Sequence, residues 1–236
     1  GVSAPDRDPM ILYRSCQRIV RTLWPLVGPL EIHGLDNVPR SGPFLLVANH
    51  QSILDPILIQ AVCPRPVHTM AKSTQFTSPL FAWLMPRLLS FPVRRYETDP
   101  QAVRYALRRL DEGEPVGVYV EGERSWDGRL QAPRLGTIRL ILKAGVPVIP
   151  VAIDGSYEVW PRWDRGIRRA TVRITFTPPL TFPRLDHKTE REAALQATAE
   201  RIMGVLAQHL PPDQGIAHRS ATSDDPRDDA DPNSLS

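Results

Sequence analysis

Apolar positions Leu12, Cys16, Ile19, Val20, Leu23 and Val27 recur at helical spacing near the start of the chain, with Arg14, Arg18 and Arg21 on the opposite side. The pattern predicts an amphipathic helical segment over residues 10–29, terminated by Pro25 and Gly28-Pro29. Such a helix packs its stripe on the domain core or lays it on a membrane with the arginines among headgroups; the pattern suits both. From residue 30 onward the period changes. Short β-branched or apolar runs near 44–48, 67–71, 89–93, 116–120, 148–153 and 171–176 alternate with helical patterns near 55–62, 79–87, 99–112, 135–144 and 188–209. This alternation predicts an α/β fold: a single layered domain over 30–210, with a mostly parallel or mixed sheet covered by helices and the functional residues at strand ends.

The two ends read differently. Residues 1–9 show no periodicity and are expected to form a disordered leader. Residues 211–236 carry six Asp against Arg219 and Arg227 and almost no large apolar side chains, so burial would not offset their ordering entropy and a disordered acidic tail is expected. The tail's charge of −4 leaves +7 on the rest of a chain whose formal net charge is +3. A basic body attracts phosphate-bearing partners: nucleic acid, an anionic membrane or a phosphorylated substrate. Its basic residues form no nucleic-acid motif with interleaved aromatics, and no nucleic-acid partner is expected. Cys16 and Cys63 lack metal or redox spacing and read as free thiols in a reducing compartment. The start has no secretion pattern, and no apolar run approaches the roughly 18–20 residues that cross a bilayer. The expectation is a cytoplasmic protein that meets membrane from one side.

Candidate chemistry begins at Asn49-His50-Gln51-Ser52-Ile53-Leu54-Asp55. Five helical steps separate two side chains by about 140°, so His50 and Asp55 meet only if His50 precedes the helix and Asp55 opens it. The strand-like run Phe44-Leu45-Leu46-Val47 and the helix-start signals Ser52-x-x-Asp55 and Asp55-Pro56 predict that arrangement. A carboxylate on one imidazole nitrogen fixes the tautomer and prepares the other nitrogen as a base for a hydroxyl nucleophile. The alternative is a structural hydrogen bond, with Asp55 capping the helix.

Three further segments gain by company. Phe91-Pro92-Val93-Arg94-Arg95 ends a strand-like run in two guanidinium groups, which are either solvated surface charge or a phosphate site. Val118-Tyr119-Val120-Glu121-Gly122-Glu123-Arg124-Ser125 runs a strand into a charged turn. That turn is either a salt-bridged loop or a site in which Gly122 allows close approach, Arg124 pairs with phosphate, and Glu121 positions Arg124 or a substrate hydroxyl. Gly145 to Val151 reads as a core strand bracketed by prolines, with a pocket wall as its functional reading. No spacing supports a metal.

In this order and at these separations the four segments resemble the glycerolipid acyltransferase family that includes 1-acylglycerol-3-phosphate acyltransferases. The family's Asn-His-x4-Asp block matches Asn49, His50 and Asp55. Its strand-ending arginine matches Arg95, with Arg94 at a variable place. Its Phe-Pro-Glu-Gly-Thr-Arg-Ser block is matched at Glu121, Gly122, Arg124 and Ser125, while Tyr119, Val120 and Glu123 depart from it. Arg134 with Gly136 fits a downstream basic-x-Gly pattern, and Val146-Pro147-Val148-Ile149-Pro150 the last block.

The resemblance spans roughly 30–180. It implies acyl transfer from an acyl-CoA or acyl-carrier-protein thioester to a lysophospholipid hydroxyl, most directly that of 1-acylglycerol-3-phosphate to give phosphatidic acid, without cofactor or metal. It makes His50 the base and Asp55 its orienting partner, and sets Arg95, Glu121, Gly122 and Arg124 around the acceptor phosphate, with Asn49, Ser125, Arg94 and Arg134 as additional positions. It implies a peripheral protein on the cytoplasmic face of an anionic membrane. Another lysolipid acceptor, hydrolysis, or non-catalytic lipid binding are the alternatives; Glu123 bears on the acceptor head group.

Overall fold

The β-branched and leucine-rich runs build a seven-stranded sheet in a computed structural model that describes residues 7–94, 99–164, 166–184 and 191–215. At its centre β2 (Leu45–Ala48) lies between β5 (Val116–Tyr119) and β6 (Val148–Asp154), parallel to both. Beyond β5, β3 (His68–Lys72) and β4 (Ser90–Val93) continue in parallel. On the other side β7 (Val172–Phe176) runs antiparallel to β6 and carries β1 (Leu30–His33) at the edge. The sheet is mixed, and its central strands are buried on both faces, as continuous apolar runs require. Strand β1 lies outside the runs recognised in the sequence, because an edge strand reading Leu-Glu-Ile-His, mostly exposed, carries little apolar signal.

Alternation along β2 divides the core. Leu45 and Val47 face a layer formed by α4 (Pro100–Asp111), α5 (Leu135–Ala144) and α7 (Arg191–Gln208). Leu46 and Ala48 face α2 (Asp55–Val62), and Tyr119 of β5 shares that side. Prolines open α2, α3 (Pro79–Arg87) and α4, where a missing N–H costs nothing. Asp99 caps α4, accepting from Gln101 and Ala102 N–H at 3.1 Å each. A four-residue turn of helix, α6 (Ser156–Val159), follows β6.

The amphipathic start forms α1 (Arg7–Leu23), which begins inside the expected leader and packs on α2 and α3. Its inward face is not the predicted stripe alone. Tyr13 is buried, and Gln17 Nε2 and Arg21 Nε donate to the carbonyls of Gln60 and Ala61 at 2.5 Å each. These carbonyls belong to the last turn of α2, which has no helical N–H to meet them, so polar side chains of α1 cap α2. Rotating the helix to make these bonds leaves Ile19 and Leu23 of the stripe exposed, together with Ile11. At the other end the expectation of a disordered tail from 211 is corrected for its first residues, where Pro212–Gln214 form a 3-10 turn with Gln214 buried; the rest of the expected tail, 216–236, lies outside the described residues.

His68, at the buried start of β3, is held neutral by burial and the nearby Arg109, which push its pKa down to about 4. The folded value lies below the unfolded one, so the stability it contributes is complete above about pH 6.5 and is lost as pH falls toward 4. Replacing it by glutamine, His68→Gln, should flatten the acid side of a denaturant-midpoint profile by about 2–3 kcal/mol at pH 4. An unchanged acid slope would contradict this assignment.

Candidate active site

The chain leaves β2 into a loop whose main chain is held at His50, Gln51 and Ser52. Asn49 acts as one more rung of the sheet: its Nδ2 donates to Ile153 O at 2.8 Å and its Oδ1 accepts from Ile153 N–H at 2.7 Å. Both of its amide groups are thereby committed to β6. His50 comes next, two residues beyond Ala48 and on the α2 side of the sheet by the same alternation. Asp55 opens α2, as the helix-start signals predicted.

Asp55 Oδ2 accepts from three donors at once: Nδ1–H of His50 at 2.8 Å and the main-chain N–H groups of Gln51 and Ser52 at 2.7 and 2.8 Å. The two N–H bonds fix the carboxylate, and the carboxylate fixes the imidazole tautomer with its proton on Nδ1. Both residues are buried, His50 at 3% exposure and Asp55 at 0%. The His50 ring stacks on Tyr119, with centroids 4.0 Å apart and planes 18° from parallel. A buried imidazole held in this way can take a proton at Nε2 and return it, with the Asp55 charge stabilising the cation between.

The third segment grips the main chain of His50. Ala48 and Tyr119 are register partners, so residues two further along each strand stand side by side beyond the sheet. There Glu121 Oε2 accepts from His50 N–H at 2.8 Å, and Ser125 N–H donates to His50 O at 2.7 Å. The other carboxyl oxygen of Glu121 accepts from Gln131 N–H at 2.9 Å. Glu121, expected to position Arg124 or a substrate hydroxyl, is 3% exposed and turns its carboxyl onto these two main-chain donors. Burial pushes its pKa up to about 8 against the pull of those two N–H bonds. Ser125 is likewise inward, its Oγ within hydrogen-bond distance of Asp127 Oδ1 and Arg129 O.

Gly122 turns the chain at φ 73°, and the atom crowding it is intramolecular: a Cβ there would stand 2.7 Å from Arg134 Cγ. Arg134 thus lies across the turn, its guanidinium 3.8 Å from Glu123. A second guanidinium, that of Arg162, reaches Glu123 at 3.4 Å, bonds the carbonyl of Arg124 and stacks at 3.6 Å over the ring of Trp126. Arg162 comes from the loop after α6, outside all four segments, where sequence spacing gave no signal. Arg94 is exposed and ion-paired with Asp99, and Arg95 lies outside the described residues. The last segment is β6, a buried wall beside β2. Among the described residues no cluster of three or more His, Cys, Asp or Glu is placed to hold a metal. Cys63 is free and buried, its thiol pushed up to about 11 by burial; Cys16 is also free.

Comparison with known proteins gives the same frame. The family model described as Acyltransferase matches residues 29–154, more than half of the chain. A chloroplastic 1-acyl-sn-glycerol-3-phosphate acyltransferase of Brassica napus is 28% identical over 182 residues, covering 73% of this chain and 53% of the relative. The Bacillus subtilis 1-acyl-sn-glycerol-3-phosphate acyltransferase is 23% identical over 196 residues, covering 81% and 95%. The chain thus spans about half the length of the plant relative and nearly all of the bacterial one. The crystal structure of the 1-acyl-sn-glycerophosphate acyltransferase of Thermotoga maritima superposes with a TM-score of 0.69 at 22% identity, over 87% of this chain and 84% of that one, a likeness of fold.

Proposed function

Because the chain belongs to the acyltransferase family, we propose that it transfers a fatty acyl group from a thioester, acyl-CoA or acyl-carrier protein, to the free hydroxyl of 1-acylglycerol-3-phosphate, forming phosphatidic acid. The observation that carries this reading is the buried His50–Asp55 pair held from both sides, by α2 through Asp55 and by the Glu121–Ser125 turn through the main chain of His50. His50 Nε2 takes the proton of the acceptor hydroxyl as its oxygen attacks the thioester carbonyl. The tetrahedral intermediate then collapses, the C–S bond breaks, and the departing thiolate receives the proton from the imidazolium. Asp55 holds the tautomer and stabilises the cation. No metal or cofactor takes part in this scheme, and no group on the enzyme is acylated.

The acceptor phosphate is assigned to Arg134 and Arg162, whose guanidinium groups meet at Glu123, and to Arg124 and Arg95 by family pattern. Among the described residues no helix is long and apolar enough to cross a membrane. Exposed Ile11, Ile19 and Leu23 on α1, and Trp126 and Trp163 beside the arginines, suit a protein seated on an anionic lipid surface. A charged thioester carrier does not cross a bilayer, so the proposed seat is the cytoplasmic face, where the carrier is found.

The test offers purified protein a panel of acyl thioesters and lysophospholipids and follows thiol release together with acylated lipid. Both products in equal amounts are expected. Thiol without acylated lipid would mean hydrolysis, and neither product would leave lipid binding as the function. Head-group choice has its own test. Glu123 occupies Arg134 and Arg162, and Glu123→Thr, which releases both, is expected to lower KM for the phosphomonoester acceptor about three- to tenfold with little change in kcat. A raised KM would show that Glu123 instead holds the arginines in their working positions.

A further inference from the structure

Gln214 sits in the 3-10 turn Pro212–Gln214, far along the chain from the catalytic loop, yet its side chain ends on that loop. Its Oε1 accepts from Gln51 Nε2 at 2.7 Å, and its own Nε2 donates to Asp154 Oδ1 at 2.9 Å. Gln51 is the residue after His50, and its main-chain N–H is one of the three donors on Asp55 Oδ2. The Gln51 side chain is fully enclosed at 1% exposure. Its Nε2 also donates to Gly128 O at 2.8 Å, and its Oε1 lies 3.4 Å from Ser156 Oγ. An amide buried this deeply is held in orientation by its partners, since any group left unbonded there costs about 1–3 kcal/mol. Gln214 therefore ties the end of β6, through Asp154, to the loop that carries His50 and Asp55.

Resting on the acyl-transfer reading, we propose that Gln214 is a positioning residue: by fixing the Gln51 amide it holds the Gln51 N–H on Asp55 and so keeps the His50 imidazole aligned. The main-chain carbonyl of Gln214 accepts independently from Leu130 N–H at 3.1 Å, so changing the side chain leaves the turn attached to the loop beneath it. The connection runs by a hydrogen bond from Gln214 to the Gln51 side chain, through Gln51 itself, and by hydrogen bonds from the Gln51 N–H to Asp55 and from Asp55 to His50. A displacement of about 1 Å at a reacting group is enough for large rate effects.

The experiment is steady-state kinetics of the full chain with acyl thioester and lysophospholipid, paired with amide hydrogen exchange of residues 49–56. Gln214→Ala is expected to lower kcat about tenfold with acceptor KM unchanged, and to speed exchange at Gln51 and Ser52. The double variant Gln214→Glu/Asp154→Asn reverses the donor and acceptor between these two side chains while keeping an acceptor for Gln51. It is expected to recover most of kcat relative to Gln214→Ala, which a general loss of stability would not do. Unchanged kcat together with unchanged exchange at 49–56 overturns the proposal, as does a lower melting temperature with kcat per folded molecule preserved. If the wild type transfers no acyl group while exchange at 49–56 still rises in Gln214→Ala, the positioning link stands and the acyl-transfer reading falls.

Discussion

His50→Ala is expected to lower acyl transfer by about 10³-fold or more at saturating substrates while leaving lysophospholipid binding within a factor of two. In the proposed scheme the imidazole supplies the proton acceptor for the attacking hydroxyl and the proton donor for the leaving thiolate, so its loss removes both steps, whereas acceptor affinity is assigned to the arginines. The fold should survive, because the main-chain groups of His50 keep their bonds to Glu121 and Ser125. Asp55→Asn makes a sharper companion. Turned with its carbonyl toward the three donors, the asparagine can preserve their geometry and place its NH2 where Asp55 Oδ1 now lies buried with no hydrogen-bond partner. The charge that stabilises the imidazolium is nonetheless gone, and kcat should fall by about 10³–10⁴, while the unpaired buried NH2 lowers stability by about 1–3 kcal/mol. Quantifying product lipid and free thiol for both variants tests the assignment; transfer within tenfold of wild type in either would remove His50 and Asp55 from the chemistry.

Parts of this site could be read from local order in the chain. The angle per residue together with Ser52 and Pro56 suffices to place His50 before a helix that Asp55 opens, and the loop is built that way. Helices with a proline or cap at their start, such as α3 and α4, were similarly legible. What needed the third dimension was register and partner choice. An acid beside Gly122 and Arg124 invites pairing with the arginine; only the alignment of Ala48 with Tyr119 brings Glu121 against His50 N–H. Asn49 matched a motif, but its bonds to Ile153 depend on β6, a hundred residues away in sequence. On α1 the apolar stripe was visible, whereas the docking of Gln17 and Arg21 on carbonyls of α2 follows from the position of a neighbouring helix end. Gln214 lies in a segment whose composition argues for disorder, and a single buried amide leaves no periodic trace.

Glu121 is where loss of a buried group should be felt in both stability and rate. Glu121→Ala leaves the N–H groups of His50 and Gln131 without their acceptor inside the protein, which should cost about 2–4 kcal/mol, or about 4–16 °C in melting temperature. Glu121→Gln keeps an oxygen for one donor but turns an NH2 toward the other, so it should fold better than Glu121→Ala and still lose about 10- to 100-fold in kcat as the His50 main chain shifts. The pH dependence separates this carboxyl from a surface one. Its folded-state pKa of about 8 lies above the unfolded value near 4.5, so the stability contributed by its proton is complete below 4.5 and is lost as pH rises through 8. Wild-type stability should therefore decline on the alkaline side of neutrality, while Glu121→Gln, which has no proton to release, should show a flatter profile there. Denaturant midpoints of both proteins between pH 5 and 9 make the comparison. Parallel curves would mean that Glu121 is already ionised in the folded protein, with its two N–H donors outweighing burial.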